Sequence, residues 1–276
     1  LYGHTGYQAS NVFNNIPAGL YMVVVRDAAG CIGYIYATVT EPSAIIIGAG
    51  VLNVSCNGGS NGAIYVNANG GTGTLQYSLN GVTYQSSTIF TGLTAGNYTI
   101  YVKDASGCVV TAPKTVTQPA VLSVASSVSD VMCAGGNDGV IDLTVYGGVY
   151  PYTFDWSNNA STEDVFNLAS GTYSVTVTDD NGCVNTQSFT INQPVNPLIV
   201  NGVITNASSQ TASDGSIDIT PTGGNGPYTF LWSNNATTED LTGLTPGVYT
   251  VMITDANGCS TSGTYTVSFA IGISAQ

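Results

Sequence analysis

GTYSVTVTDDNGC, Gly171–Cys183, is the stretch that decides the fold. Tyr173, Val175 and Val177 fall on one side of it, and Ser174, Thr176 and Thr178 on the other. That period of two belongs to a β-strand with one buried face, because successive side chains leave opposite sides of the pleat. Asp-Asp-Asn-Gly then offers residues suited to a tight turn, and Cys183 opens a return strand that stops at Gln193-Pro194. The stretch is therefore a β-hairpin with a cysteine just past its turn.

The same period extends outward. GVIDLTV (Gly139–Val145) alternates, and Gly147-Gly148 makes a turn. PYTFDWS (Pro151–Ser157) puts Tyr152, Phe154 and Trp156 on one face, and a polar loop leads back to Gly171. No helical period of 3.6 survives anywhere, so the chain reads as all-β.

The hairpin recurs. RDAAGC (Arg26–Cys31), KDASGC (Lys103–Cys108), TDDNGC (Thr178–Cys183) and TDANGC (Thr254–Cys259) stand 77, 75 and 76 residues apart, cysteine to cysteine. A fixed period this long marks an array of like modules. It divides the chain into a partial unit, 1–42, and full units at 43–119, 120–194 and 195–276. The partial unit is the C-terminal half of a module, and its start in mid-repeat at Leu1 implies an upstream segment. Each full unit is large enough for a core, though a modest one.

Before each penultimate strand sits a second phrase: IPAGLY (Ile16–Tyr21), LTAGNY (Leu93–Tyr98), LASGTY (Leu168–Tyr173) and LTPGVY (Leu244–Tyr249). A Leu, a Gly-containing turn and a Tyr opening the strand form the pattern of a tyrosine corner, whose hydroxyl ties to nearby backbone in immunoglobulin-like sandwiches. Tyr21, Tyr98, Tyr173 and Tyr249 are therefore structural. The expected architecture is a row of immunoglobulin- or fibronectin-like Greek-key β-sandwiches of seven strands or fewer. Each module would add ~30–40 Å to an elongated rod if its strands run along the long axis. Pro42, Pro119 and Pro194 at the junctions stiffen it.

Composition removes several function classes. Charged residues make up 7% of the chain, the only basic ones are Arg26, Lys103 and Lys114, and the net charge is -13. Three cations cannot neutralise a run of phosphates, so nucleic acid is not a partner. No apolar stretch reaches the roughly 18 residues of a spanning helix. An acidic, Lys-poor, Thr/Asn/Gly-rich β protein with regular cysteines fits a secreted, extracellular or cell-surface setting.

CNGGSNGAI (Cys56–Ile64) and CAGGNDGVI (Cys133–Ile141) open two units. GGVYPYTFDWSNNASTED and GGNGPYTFLWSNNATTED fill the middle of the last two, and GTYSVTVTDDNGC and GVYTVMITDANGC follow. Taken together, these motifs resemble the SprB-type repeat of Bacteroidetes cell-surface proteins, found in very long gliding-motility adhesins. The resemblance covers nearly the whole chain. It implies export by the type IX system and a place on the cell surface. The first full unit departs most, with YSLNGVTYQSS (Tyr77–Ser87) in place of the Trp-Ser-Asn-Asn stretch.

Six cysteines occupy two positions of the unit. Cys56 and Cys133 precede the second strand; Cys31, Cys108, Cys183 and Cys259 follow the last hairpin turn; Ser209 holds the first position in the final unit. Zinc is a poor reading, with no CxxC and His4 as the sole histidine. Structural disulfides are expected. In an immunoglobulin-like topology the two positions lie at opposite ends of a module, over ~20 Å apart for strands of about seven residues. A bridge needs Cα atoms within about 7 Å. Head-to-tail packing therefore predicts Cys56–Cys183 and Cys133–Cys259, each stapling neighbours. Under that wiring Cys108 and Cys31 need partners upstream of Leu1. Pairing within each unit, as Cys56–Cys108, is the alternative; it would leave Cys259 facing Ser209.

Carboxylates are the only catalytic currency present. Asp27, Asp104, Asp179 and Asp255 recur before the hairpin turns, where Asp accepts local backbone N–H bonds. Glu163, Asp164, Glu239 and Asp240 recur in the last two units. As adjacent residues they point apart and make no acid/base pair. Ca²⁺ is the ion they would suit, with NDG (Asn137–Gly139) and DDNG (Asp179–Gly182) as further donors. No 12-residue loop or DxDxD pattern accompanies them, so no cofactor is expected and Ca²⁺ stays as the alternative. Nucleophilic catalysis lacks a base, since His4 stands alone. GGSNG and GGNDG precede strands, not helices, and are turns, not phosphate cradles. Trp156 and Trp232 alternate with Phe154 and Phe230 and read as core; stacking on sugars is the rival reading. Asn53, Asn97, Asn159, Asn206 and Asn235 match glycosylation acceptors, which chance explains in so Asn/Ser/Thr-rich a chain.

The expected function is a non-enzymatic repeat segment of a secreted adhesin fibre, reaching from the cell for surface attachment or gliding. Its partners would be an external surface, a polysaccharide or a neighbouring cell-surface protein. A self-assembling filament or sheath subunit is one alternative, and a carbohydrate-binding module is the other. The filament requires self-association; the carbohydrate module requires an exposed Trp156 or Trp232.

Overall fold

A computed structural model describes residues 6–269. The described residues hold twenty β-strands and no helix. The chain divides into two compact units, Leu1–Pro119 and Ala120–Gln276.

In the first unit, β1 (Gly19–Arg26) and β2 (Ile32–Val39) form an antiparallel hairpin. Six strands follow: β3 (Ile46–Leu52), β4 (Gly62–Asn69), β5 (Gln76–Ser78), β6 (Ile89–Leu93), β7 (Gly96–Lys103) and β8 (Val109–Val116). They pair as two three-stranded antiparallel sheets, β3-β4-β6 and β5-β7-β8. Between them pack Ile64, Val66, Tyr77, Ile100, Val102 and Val116.

The second unit holds two such sandwiches. The first has β9 (Ser123–Ser129), β10 (Gly139–Tyr146), β11 (Thr153–Trp156), β12 (Val165–Leu168), β13 (Gly171–Thr178) and β14 (Val184–Ile191). The second repeats them as β15 (Ile199–Thr205), β16 (Gly215–Thr222), β17 (Thr229–Trp232), β18 (Leu241–Leu244), β19 (Gly247–Thr254) and β20 (Ser260–Val267). In both, one sheet pairs the first, second and fourth strands, and the other pairs the third, fifth and sixth. That is the A-B-E and C-F-G arrangement of an immunoglobulin-like sandwich without its D strand.

The core is what the alternation demanded. Ile141, Leu143, Trp156, Val175, Val177 and Ile191 are buried together, as are Ile217, Ile219, Trp232, Val251, Ile253 and Val267. Phe189 and Tyr265 sit tilted against the two Trp rings, with centroids 6.1 and 6.0 Å away. Each indole donates to a carbonyl six residues on, Trp156 Nε1 to Thr162 O and Trp232 Nε1 to Thr238 O, both at 2.9 Å. Burial at 2% and 1% exposure removes both rings from any sugar-stacking role.

One element departs from the sequence reading. The polar loop between Ser157 and Gly171 contains strand β12, which pairs with β10. Its buried residues, Val165 and Leu168, stand three apart. A register shift between Gly139 and Ile141 absorbs the odd residue, and such an irregularity erases the period of two that reveals longer strands.

The four tyrosines of the repeated Gly-Xaa-Tyr phrase make one recurring bond. Tyr21, Tyr98, Tyr173 and Tyr249 donate their hydroxyls to the carbonyls of Pro17, Thr94, Ala169 and Thr245, at 2.7, 2.9, 3.0 and 3.0 Å.

Candidate functional site

The features repeated most faithfully gather at the two ends of each module. At the N-terminal end lies the Asp-Xaa-Xaa-Gly-Cys turn. Asp255 is buried, and no Lys, Arg or His occurs between residues 120 and 276. Backbone donors satisfy it instead. Its Oδ2 accepts the Asn225 N–H at 2.9 Å, and its Oδ1 accepts those of Asn257 and Cys259, both at 2.9 Å. Asp179 does the same with Val149, Asn181 and Cys183, and Asp104 with Thr72, Ser106 and Cys108. These N–H bonds, led by Thr72 for Asp104 and Asn225 for Asp255, hold both carboxyls below the ordinary aspartate range although burial opposes them.

Each carboxylate thus pins the hairpin turn to the glycine pair some thirty residues earlier. The pair is glycine for two reasons. Gly223 has φ +73° and a Cβ there would collide with the Pro197 carbonyl; Gly224 has φ +60° and its Cβ would meet Asp255 Oδ2 at 2.6 Å. Gly147 and Gly148 stand in the same relation to Val121 and Asp179. The turn lies beside the start of its module: Gly224 N–H donates to Asn196 O, and Gly148 N–H to Ala120 O, both at 3.0 Å.

At the C-terminal end lies the loop between the first two strands. Val131 N–H donates to Asn192 O at 3.0 Å, Gly135 N–H to Gln193 Oε1 at 2.8 Å, and Asn192 N–H to Asp130 Oδ1 at 2.8 Å. The module 43–119 repeats this with Gly58 and Gln118 at 2.8 Å, and Thr117 and Asn53 at 3.0 Å. In the last module Asn206 accepts from Ser268 at 3.0 Å. Asn53 and Asn206, which match glycosylation acceptors, are loop clamps. Neither they nor the glutamines carry a local sequence signal, because their partners lie about sixty residues away.

Opposite ends of consecutive modules meet in the second unit. Cys133, in the first loop of 120–194, is disulfide-bonded to Cys259, in the last hairpin of 195–276, with Cα atoms 5.5 Å apart and 126 residues of separation. Met132, Ala134, Pro194, Pro197, Asn225 and Asn257 line a small cleft beside the bridge. For Cys133 this wiring overturns the alternative of pairing within a module. Cys56 lies in the first loop of 43–119, where its carbonyl accepts the Gly59 N–H at 3.0 Å. Cys183 occupies the Asp179 turn, its N–H 2.8 Å from Asp179 Oδ1. Cys31 and Cys108 are exposed free thiols.

The Asp of each acidic pair has a local structural role. Asp164 Oδ1 accepts the Leu143 N–H and Asp240 Oδ1 that of Ile219, both at 2.9 Å. Glu163 and Glu239 are exposed. Among the described residues no three His, Cys, Asp or Glu side chains converge as metal ligands, and no helix is long and apolar enough to cross a membrane. His4 lies outside the described residues.

The fold and its repeated ends define a tandem array of immunoglobulin-like β-sandwiches in which one module is bolted to the next. The array carries the SprB repeat three times, at residues 51–83, 125–161 and 201–237. Each match runs from within the first strand of its module to the segment after the third strand and stops short of the Asp-Xaa-Xaa-Gly-Cys hairpin. The first match includes the unit whose middle departs from the others.

No curated protein matches the chain. Among solved structures it is similar to Sidekick-1 immunoglobulin domains 1–5, with 13% identity over 91% of this chain and 66% of that one, at a TM-score of 0.35. For the N-terminal eight Ig domains of Down Syndrome Cell Adhesion Molecule the values are 12%, 92%, 40% and 0.34. For domains 4–9 of the surface layer protein SbsC they are 16%, 84%, 48% and 0.27. The chain spans less than two thirds of each, and at such TM-scores these likenesses carry no argument; the strand pairing itself establishes the sandwich.

Proposed function

We propose that this chain is a non-enzymatic repeat segment of a secreted cell-surface adhesin fibre, reaching outward for attachment to a surface or for gliding. The observation that carries the reading is the Cys133–Cys259 bond between successive SprB-repeat modules. A binding domain needs no covalent bolt to its neighbour, whereas a module that transmits pull does. The cysteine chemistry fits an oxidising, extracellular setting, and the resemblance to the SprB-type repeat of gliding adhesins implies export through the type IX route. By the same wiring Cys56 pairs with Cys183. The contacts made are with a polysaccharide, another external surface or a neighbouring surface protein. Antibody raised against residues 120–276 tests the placement. It should decorate intact cells; labelling that appears only after lysis would exclude a surface fibre.

A second reading is self-assembly as a filament or sheath subunit. Sizing over a range of concentrations discriminates: polymers that grow with concentration support assembly, and a constant monomer removes it.

A further inference from the structure

The bridged hairpin at Cys259 has two unbridged twins. In the bridged turn the Cys259 N–H lies 2.9 Å from Asp255 Oδ1, the Asp255 N–H donates to Cys259 O at 2.9 Å, and the Gly258 N–H donates to Asp255 O at 3.0 Å. At Cys108 the same three bonds to Asp104 measure 2.9, 3.0 and 3.1 Å. At Cys31 those to Asp27 measure 2.8, 3.1 and 3.2 Å. Asp104 also reaches across to the Thr72 N–H at 2.9 Å, as Asp255 does to Asn225. The turn that presents a half of the joint at Cys259 therefore recurs twice, with these three bonds, around a thiol that is exposed and free.

What the turn accepts is visible where it is filled. Cys133 arrives on a first loop of sequence Cys-Ala-Gly-Gly, closed by its own Gly136 N–H to Cys133 O bond of 2.9 Å. Cys-Asn-Gly-Gly at Cys56–Gly59 closes identically, Gly59 N–H to Cys56 O at 3.0 Å. We propose that the Cys31 and Cys108 hairpins are open halves of this joint, each a covalent docking point for a Cys-Xaa-Gly-Gly loop carried by another module of the same repeat. That module belongs either to the same polypeptide or to a second copy. The bond forms by thiol–disulfide exchange with a small disulfide such as oxidised glutathione. The Cys108 thiolate attacks one sulfur and expels a thiol; the loop thiolate then attacks Cys108 Sγ and expels the second. Two protein thiols and one disulfide become one protein disulfide and two small thiols.

The inference concerns joining partners and stands apart from what the fibre adheres to. Peptide mapping of the protein taken from cells quenched with N-ethylmaleimide tests it. Cleavage before Asp and after Glu isolates Cys31 in 27–41 and Cys108 in 104–129. Under non-reducing conditions both peptides should be recovered bonded to a Cys-Xaa-Gly-Gly peptide of another module; recovery of 104–129 bonded to 42–103 of the same chain, which carries Cys56, would overturn the proposal. If reduction leaves the polypeptide's gel mobility at the mass of one chain, the partner loop is in the same molecule; release of a second chain identifies a copy. Recovery of Cys31 and Cys108 chiefly as maleimide adducts, as glutathione adducts, or bonded to each other would overturn the proposal.

Discussion

The Asp255 carboxylate accepts the backbone N–H of Cys259 at 2.9 Å, so the buried acid that shapes the turn also positions one half of the Cys133–Cys259 bond. Turn geometry and covalent joint are one device, and its parts can be perturbed separately.

The bond should withhold chain length under tension. Pulled from its termini, the oxidised protein cannot extend the residues between Cys133 and Cys259. At ~3.5 Å per residue, a separation of 126 residues hides on the order of 440 Å of contour. Measured in a Cys56→Ser/Cys183→Ser background, where no second bridge overlaps the loop, force spectroscopy should find that length missing in the oxidised protein and restored on adding Cys259→Ser. Equal contour lengths in the two would mean that the joint bears no load.

Acid should loosen the turn. Asp104 and Asp255 have folded pKa values lowered chiefly by backbone N–H donors. A depressed folded value contributes stability that is complete above the unfolded pKa of about 3.9 and is lost as pH falls through the lower folded one. Stability should hold near neutrality and decline below about pH 4. Asp255→Asn should be less stable at neutral pH and show a shallower acid decline, read from the Trp232 emission. An unchanged acid profile would show that the carboxylate is no pin.

Gly224→Ala should be costly out of proportion to one methyl group. The residue sits at φ +60°, and its new Cβ would stand 2.6 Å from Asp255 Oδ2. Backbone strain alone is worth about 1–3 kcal/mol, and displaced N–H bonds add to it. Gly258→Ala, at φ +83° with open space around it, should cost the backbone strain only. Chemical denaturation of both variants measures the difference, and equal losses would refute the contact.

The Trp rings should resist soluble quenchers. Exposure of 2% for Trp156 and 1% for Trp232 predicts blue-shifted emission and weak quenching by acrylamide. Trp156→Ala should lose about 3–5 kcal/mol as a core truncation. Strong quenching in the folded protein would reopen the sugar-stacking role.

Much of this was legible in the chain by itself. Alternation at Tyr173, Val175 and Val177 specifies a half-buried strand because the pleat has a period of two. The recurrence of Asp-Xaa-Xaa-Gly-Cys and Leu-Xaa-Xaa-Gly-Xaa-Tyr marks out the modules, since turns and corners are local and their residue types are nearly dictated by backbone geometry. Strand β12 escaped because a bulged four-residue strand has no period to read.

Tertiary structure alone decided what meets what. Asp255 beside Asn225, Gln193 on Gly135 and Asn206 on Ser268 join residues 30 to 62 positions apart, and no local pattern records such distances. The cysteines carry the same lesson. Sequence placed them at two positions of the repeat and left two pairings open. Only the strand topology, by sending the first loop and the last hairpin to opposite ends of a sandwich, put Cys133 within 5.5 Å of Cys259 across a module boundary.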